Sequence, residues 1–336
     1  MAKKLKVGIV GAGNRSQQHA QVFQSLEGTE LVAFCDVLGE RSKEKAEAFG
    51  LNPSTAAETD YHHFVRRKDF DAVSICASSN VHAEVAIAAA QAGKHILTEK
   101  PMAQTLAQCD EMIEAADAND VVLAVVFQNR FHRDNLRIKS LIESGRMGQI
   151  MIAREFGWTI HSFDLFHWLF GPVSRVSAEW AGDGQIYRDA LFSLLRFENG
   201  IIGYTQSSPR QVFDPPCSET DHGVMIVGEK LYMFIKLWGH EIIFKGKDEN
   251  YLAETKKWME SLYTEPDYNG SLTNIVEDFL NAVNNGTNPR VNGEEGRQSI
   301  ELTTGIHKAA LTHQTVSFPI EKIDPFYADP KQLVQW

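Results

Sequence analysis

The sequence of 336 residues has only four cysteines, Cys35, Cys76, Cys109 and Cys217, and none of them pairs with another in a CxxC or similar metal or redox spacing. Cys35 and Cys76 lie inside apolar, strand-like runs, where a thiol behaves as a small hydrophobe. A disulfide framework is not expected, and cysteine usage points to a reducing, cytoplasmic setting. No run of ~18 apolar residues occurs, so no membrane-spanning helix is expected. The first residues lack the apolar core of a signal peptide. Positive charge is also scarce: 33 Lys and Arg stand against 44 Asp and Glu, a formal net charge of -11. Apart from the short Lys3-Lys4-Leu5-Lys6 lead-in there is no basic block, which argues against nucleic acid or an anionic membrane surface as a partner. Internal repeats and low-complexity tracts are absent.

What is present is a strand–helix alternation. Apolar runs at 5–10, 31–36, 71–77, 94–100 and 121–127 are separated by helical spacings at 14–26, 40–49, 81–93 and 105–118. Continuous Val- and Ile-rich strands between helices imply a parallel sheet covered on both faces. After about residue 130 the pattern changes. A short helix over 135–143, with Asp134 placed to cap it, leads into a strand at 148–156, a helix through 157–171 and a series of alternating segments from Val173 to Gly239. Helices return near 271–285 and 294–312. The fold class read from this is α/β: an N-terminal Rossmann-type doubly wound parallel sheet over 1–127, and a C-terminal α+β domain with a large, mainly antiparallel sheet over 128–336.

The segment "VGIVGAGNRS" (7–16) places Gly11 and Gly13 at the first strand-to-helix turn. Glycine permits the tight turn and lets the backbone approach a pyrophosphate, which the helix N-terminus then faces. The third glycine of the usual pattern is replaced by Ser16, which is small enough for helix–sheet packing. Asp36 ends the second strand about twenty residues on, where an acid meets the ribose hydroxyls and repels a 2′-phosphate. The pattern therefore predicts NAD rather than NADP. Glu99-Lys100-Pro101 ends the fourth strand, at the sheet edge where ligands bind in this architecture. A lysine there can hold an alcohol or carbonyl oxygen and stabilise developing negative charge.

These features occur together with "SSNVHAEVAIAAAQAGKHILTEKP" (78–101), "FQNRF" (127–131) and "VEDFLNAVNNGTNPRVNGEEGRQSIELTTGIHKAA" (276–310). The combination resembles the glucose-fructose oxidoreductase / inositol dehydrogenase / MocA-like family over nearly the whole chain. The resemblance implies a two-domain fold and an NAD-dependent oxidoreductase acting on CH–OH groups of a sugar, polyol or related hydroxy compound. Lys100 would match the family's catalytic lysine, with Glu99 helping to place it. The cofactor set is expected to comprise Gly11, Gly13, Asn14, Arg15, Asp36, Arg41, Ser78, Asn80, His82, Glu99, Lys100 and Gln128. Family members often associate through an uncovered sheet face, which implies a homodimer or homotetramer.

The stretch "GWTIHSFDLFHWLFG" (157–171) matches the family's D-x-x-x-H-x-x-D pattern in part. His161 fits the proton-transfer histidine and Asp164 the second acid, while Gly157 stands where the first acid would be. On a helix Asp164 lies about 60° from His161 and His167 about 60° further on, so the three form one polar arc on an apolar helix. The i, i+4 spacing of helical zinc histidines is missing, and no metal site is assigned. His161 is expected as the acid/base and Asp164 as the catalytic acid that orients it, and both are expected as substrate contacts together with Lys100, Asn129 and Trp158. His167 is read as structural, Arg130 as a possible ion-pair partner, and Asp221 and His222 as loop polar groups near the pocket. Two other readings stay open: an NAD-assisted elimination or glycoside cleavage with no net redox change, and a non-catalytic NAD-binding sensor of the same fold.

Overall fold

Six parallel strands form the first sheet: β1 (Leu5–Val10), β2 (Thr29–Cys35), β3 (Ala57–Glu58), β4 (Ala72–Ile75), β5 (His95–Thr98) and β6 (Leu123–Val125), in the order β3-β2-β1-β4-β5-β6. The crossovers carry α1 (Asn14–Ser25), α2 (Gly39–Ala48), the single turns α3 (Pro53–Ala56) and α4 (Tyr61–Phe64), α5 (His82–Gln91) and α6 (Leu106–Ala118). The computed structural model describes residues 4–156, 160–181, 190–206, 223–236, 242–264 and 271–329. Strand β4 is buried at every position and β1 at all but one, as a sheet with helices on both faces requires. The order reverses between β1 and β4, the switch point at which ligands of such sheets bind.

The second sheet follows α7 (Arg133–Glu143). Its strands are β7 (Ile150–Phe156), β8 (Val173–Ala181), β9 (Ala190–Phe197), β10 (Ile202–Gln206), β11 (Gly223–Gly228), β12 (Leu231–Lys236), β13 (Ile242–Gly246) and β14 (Val316–Ser317), with α8 (Ile160–Phe170) between β7 and β8. The order is β13-β12-β11-β7-β10-β9-β8-β14, and every neighbouring pair is antiparallel except β7 with β10. Strand β9 alternates strictly between buried and accessible positions, the period-2 pattern of a sheet with one face in the core. The chain continues through α9 (Glu249–Glu260), α10 (Leu272–Asn285), α11 (Gly293–Thr312) and α12 (Pro325–Ala328).

The chain divides into two units: 1–128 with 271–300, and 129–270 with 301–336. A single cut at 127/128 does not describe this division, because residues 271–300 return to the first unit. The apolar stripe of α10 packs against α1, and a Cβ on Gly28 would lie 3.1 Å from Leu280. The amide of Val125 donates to the Val291 carbonyl at 3.0 Å. This covers the free edge of β6, a place where sheets otherwise invite foreign pairing.

Two local expectations change. Helix α7 begins at Arg133, and its cap is His132, whose Nδ1 accepts from the Asp134 amide at 3.3 Å. Asp134 sits inside the first turn instead of preceding it. Helix α9 and strand β13 lie in sequence that carried no expectation. Helix α9 is accessible over most of its length and buries Thr255 and Met259, one turn apart.

Candidate active site

The loop after β1 is shaped by what it packs against. Gly11 has φ +92°, and a Cβ there would stand 2.4 Å from the Ala77 amide nitrogen. Only glycine fits such a conformation and such an approach. At Gly13 the direction of a Cβ is open, with nothing within 4 Å. Helix α1 then starts at Asn14 with no side-chain cap and no acid in its first turn. Its first amides therefore lack an intrahelical partner and face an open approach, the arrangement that receives an anionic group. Ser16 is buried, and its hydroxyl is satisfied by donating to the Gly13 carbonyl at 2.6 Å. Asp36 Oδ2 accepts from the Ala12 amide at 2.8 Å and Oδ1 from the Leu38 amide at 2.9 Å. The carboxylate is thus held at the end of β2, over the glycine turn. Asn14, Arg41, Ser78 and Asn80 are exposed around this region, and Gln128 is half-buried. An open glycine turn, an uncapped helix start and a fixed acid fit a dinucleotide.

Lys100 follows β5 and is joined to Pro101 by a cis peptide bond. Its amide donates to Glu99 Oε2 at 3.2 Å. Glu99 Oε1 receives Arg15 Nε and lies 3.0 Å from His19 Nε2. His19 is fully buried, and its Nδ1 is 2.8 Å from Ser74 Oγ. Burial alone would push Glu99 up, but the hydrogen bond and charge of His19, followed by Arg15, outweigh it and hold the carboxyl well below its usual range. Burial pushes the His19 ring down, and Cys76 and Glu99 reverse this, holding it well above the usual histidine range. For Lys100, burial lowers the ammonium below the usual lysine value, opposed by Glu99 and reinforced by Arg15. A half-buried lysine whose ammonium releases its proton more readily than usual is suited to donating to an oxygen.

His82 has a different role from the expected cofactor contact. It is buried, with Nδ1 2.9 Å from the Pro101 carbonyl and Nε2 3.0 Å from the Ala77 carbonyl. Both ring nitrogens are occupied by backbone, so the imidazole ties the turn after β4 to the turn carrying Lys100.

In the second unit α8 carries His161, half-buried in its first turn. Asp164 is not a solvent-side or cavity-side acid. It is 0% exposed and forms a bidentate pair with Arg130, itself 1% exposed, at 3.0 Å from Nε and 2.6 Å from Nη2. His167 and Trp168 are half-buried, while Phe166 and Phe170 of the helix pack with Phe197 of β9 at ring-centroid distances of 5.3–6.0 Å. Asn129 is half-buried in the single turn Gln128–Phe131. Trp158, Gly157, Asp221, His222 and Cys217 lie outside the described residues.

The sequence profile of an oxidoreductase family with an NAD-binding Rossmann fold matches residues 5–127, and that of the same family's C-terminal α/β domain matches 157–318. The chain belongs to this family. Among similar proteins, the myo-inositol 2-dehydrogenase of Thermotoga maritima is 27% identical over 339 residues, covering 93% of this chain and 98% of the relative. The inositol 2-dehydrogenase of Salmonella typhimurium is 31% identical over 184 residues, 49% of this chain and 54% of that protein. Among solved structures, the WlbA dehydrogenase of Bordetella pertussis in complex with NADH and UDP-GlcNAcA has a similar fold. Its TM-score is 0.78 at 24% identity, over 96% of this chain and 99% of that one.

As a member of the glucose-fructose oxidoreductase / inositol dehydrogenase / MocA-like family, the chain is an oxidoreductase whose first unit has an NAD-binding Rossmann fold. Two buried groups, His19 and Glu155, escaped the sequence reading, and Arg130, read as an ion-pair residue, carried no assigned partner. His19 sits on the inner face of α1 with its partner 80 residues away. The pairing of Arg130 with Asp164 spans 34 residues. Glu155 was read as part of an ordinary strand, yet its side chain points inward. The one available signal for it was period 2: Ala153 and Glu155 occupy the same face of β7.

Proposed function

We propose that the protein oxidises or reduces a CH–OH group of a sugar, polyol or related hydroxy compound, with NAD as its redox partner. The supporting observation is Lys100: half-buried, with its ammonium held below the usual lysine value, and anchored through Glu99 to His19 and Arg15. Similarity to inositol dehydrogenases over 93% of the chain supports a polyol-like substrate.

The amides at the start of α1 and the turn at Gly11 and Gly13 would hold the pyrophosphate, and Asp36 the ribose hydroxyls. Arg15, Asn14, Arg41, Ser78, Asn80 and Gln128 complete that contact set. When bound, the nicotinamide supplies hydride chemistry at the reacting carbon. Lys100 donates to the substrate oxygen and offsets its negative charge. His161 takes the hydroxyl proton in oxidation and returns it in reduction. Asn129 and Trp158 orient the substrate. Asp164, tied to Arg130, fixes the helix that carries His161. On this reading residues 1–127 provide the cofactor domain and 128–336 the substrate domain, with 271–300 completing the first. The uncovered face of the second sheet joins two or four copies in the cytoplasm. Across that face Ile243, Phe234, Met225, Arg154, Tyr204 and Leu194 lie in one register row, and Leu194 is 49% exposed.

The test is a panel of polyols, aldoses and keto-sugars assayed for NADH appearance or loss. Lys100→Ala and His161→Ala are each expected to lower turnover at least ~100-fold, the scale of one positioned acid or base. Unchanged turnover in both overturns the mechanism. Product formation without net NADH change would replace it with transient oxidation and elimination. Tight NAD binding with no turnover on any compound would make the protein a sensor.

A further inference from the structure

The second sheet has an inner face that is apolar except along one row. Glu155 on β7 is in register with Thr205 on β10, and Thr205 with Ser193 on β9. All three side chains are buried, at 1%, 1% and 0% exposure. Thr205 and Ser193 satisfy each other, with hydroxyls 2.6 Å apart. Glu155 is not satisfied in this way. Its Oε2 is buried with no hydrogen-bond partner. On the other side its register neighbour is Val224 of β11, which offers nothing polar. The group set against its carboxyl is Ser162, in the first turn of α8 and next in sequence to His161.

A buried carboxyl with a bare oxygen is costly to keep, because its lost hydration is not replaced. An apolar residue in that place would be the cheaper solution for packing. We propose that Glu155 is a positioning residue for His161: its carboxyl, held against Ser162, fixes the first turn of α8 and sets the charge that the neighbouring imidazole experiences. The inference rests on the reading of His161 as the acid/base.

The carboxyl has two states with different consequences. Burial pushes it up to about 8, with Ser162 pulling the other way. Below that pH it is neutral and only orients the helix turn. Above it, a buried negative charge appears beneath α8 and favours the protonated imidazole. The groups facing Glu155 are Thr205 from β10, Val224 from β11 and Ser162 from α8, the residue next in sequence to His161. Asp164, farther along that helix, is committed to Arg130. Among the described residues no cation is set against Glu155 to hold it ionised at neutral pH.

The experiment follows the His161 ring by NMR in the full-length protein with labelled histidine, assigned through His161→Gln. In the wild type the His161 signal should pass through an inflection near pH 8, and Glu155→Gln should abolish it. Ser162→Ala should move the inflection to higher pH, because it removes the group that favours the carboxylate. The dispersion of the remaining histidine signals reports that each variant is folded. If Glu155→Gln fails to fold, the Ser162→Ala shift decides. No inflection near pH 8 in the wild type, an inflection that survives Glu155→Gln, or one unmoved by Ser162→Ala overturns the proposal. The readout needs no turnover, so an inactive substrate panel would remove the functional reading and leave the Glu155 result standing.

Discussion

Glu99 receives His19 at 3.0 Å through Oε1 while its other oxygen holds the Lys100 amide at 3.2 Å, so one buried carboxyl connects α1 to the backbone of Lys100. The pair makes stability depend on pH from both sides. Glu99, depressed in the folded state, contributes above about 4.5, and that contribution falls away as pH drops toward about 2. His19, raised in the folded state, contributes fully below 6.5, and its share is lost as pH rises through about 9. Denaturant midpoints of wild type and His19→Leu should therefore converge between pH 6.5 and 9. Parallel curves over that range would show that the pair does not titrate as described.

The Arg130–Asp164 pair should behave as a buried ion pair whose halves need each other. Asp164→Ala leaves a guanidinium inside the core and should cost about 3–5 kcal/mol. Arg130→Met with Asp164→Leu should recover most of that loss. Urea titration of the single and double variants measures this directly. A double variant as unstable as the single one would mean the pair carries more than its own mutual neutralisation.

The end of β2 should decide between the two nicotinamide cofactors. Asp36→Asn keeps an acceptor for the glycine turn but removes the charge that repels a 2′-phosphate. The ratio of NADP to NAD affinity should rise by about tenfold or more, in line with the role of this acid in the fold. Fluorescence titration with both cofactors gives the ratio. An unchanged ratio would place the ribose elsewhere.

Glu155 gives a second pH signature. A carboxyl raised to about 8 in the folded state stabilises fully below about 4.5 and loses that contribution as pH climbs to about 8. Glu155→Gln does not titrate. Its stability relative to wild type should increase across pH 4.5–8 and level off above. A constant difference over that window would return Glu155 to the ordinary carboxylate range.

The open sheet face should be tested at Leu194, which is 49% exposed in the same row as Tyr204 and Arg154. An exposed apolar face of this kind marks an association surface. Leu194→Lys should reduce the mass seen by light scattering to that of one chain of 37.7 kDa. A wild type that is already a single chain would remove the proposed assembly.

The parallel sheet was legible because strand, turn and helix alternate at short range, and each turn carries its own chemistry. Gly11, Asp36 and the Glu99-Lys100-Pro101 segment could be placed on strand ends from local signals alone. The second unit was legible as a sheet through its alternation, but not in its strand order, where β7 pairs with both β10 and β11 across more than 45 residues of chain. The site was less readable for the same reason. A helical wheel shows that His161, Asp164 and His167 share an arc, but it cannot show that Arg130 closes over Asp164 from outside the helix. The family pattern directs attention to position 157, where glycine stands, whereas the buried acid set against α8 is at 155, on a different element. His82 is expected as a cofactor contact as part of the segment 78–101 that carries the family resemblance. Its two backbone partners lie in separate loops, one of them 19 residues away.

The return of residues 271–300 to the first unit has a consequence for synthesis on the ribosome. The chain emerges from its N-terminus, and domains tend to fold as they become complete. The parallel-sheet unit is not complete when residue 128 has emerged, because α10 and the strand-edge contact of Val291 are still untranslated. Until then the outer side of α1 and the edge of β6 stay open, and β7 to β13 of the second sheet are made in the interval. A nascent chain stalled near residue 200 should be protease-sensitive in its N-terminal third, and one stalled beyond residue 300 protected. The two ends of the dinucleotide unit are thus drawn together last, after the sheet that intervenes in sequence has had time to form.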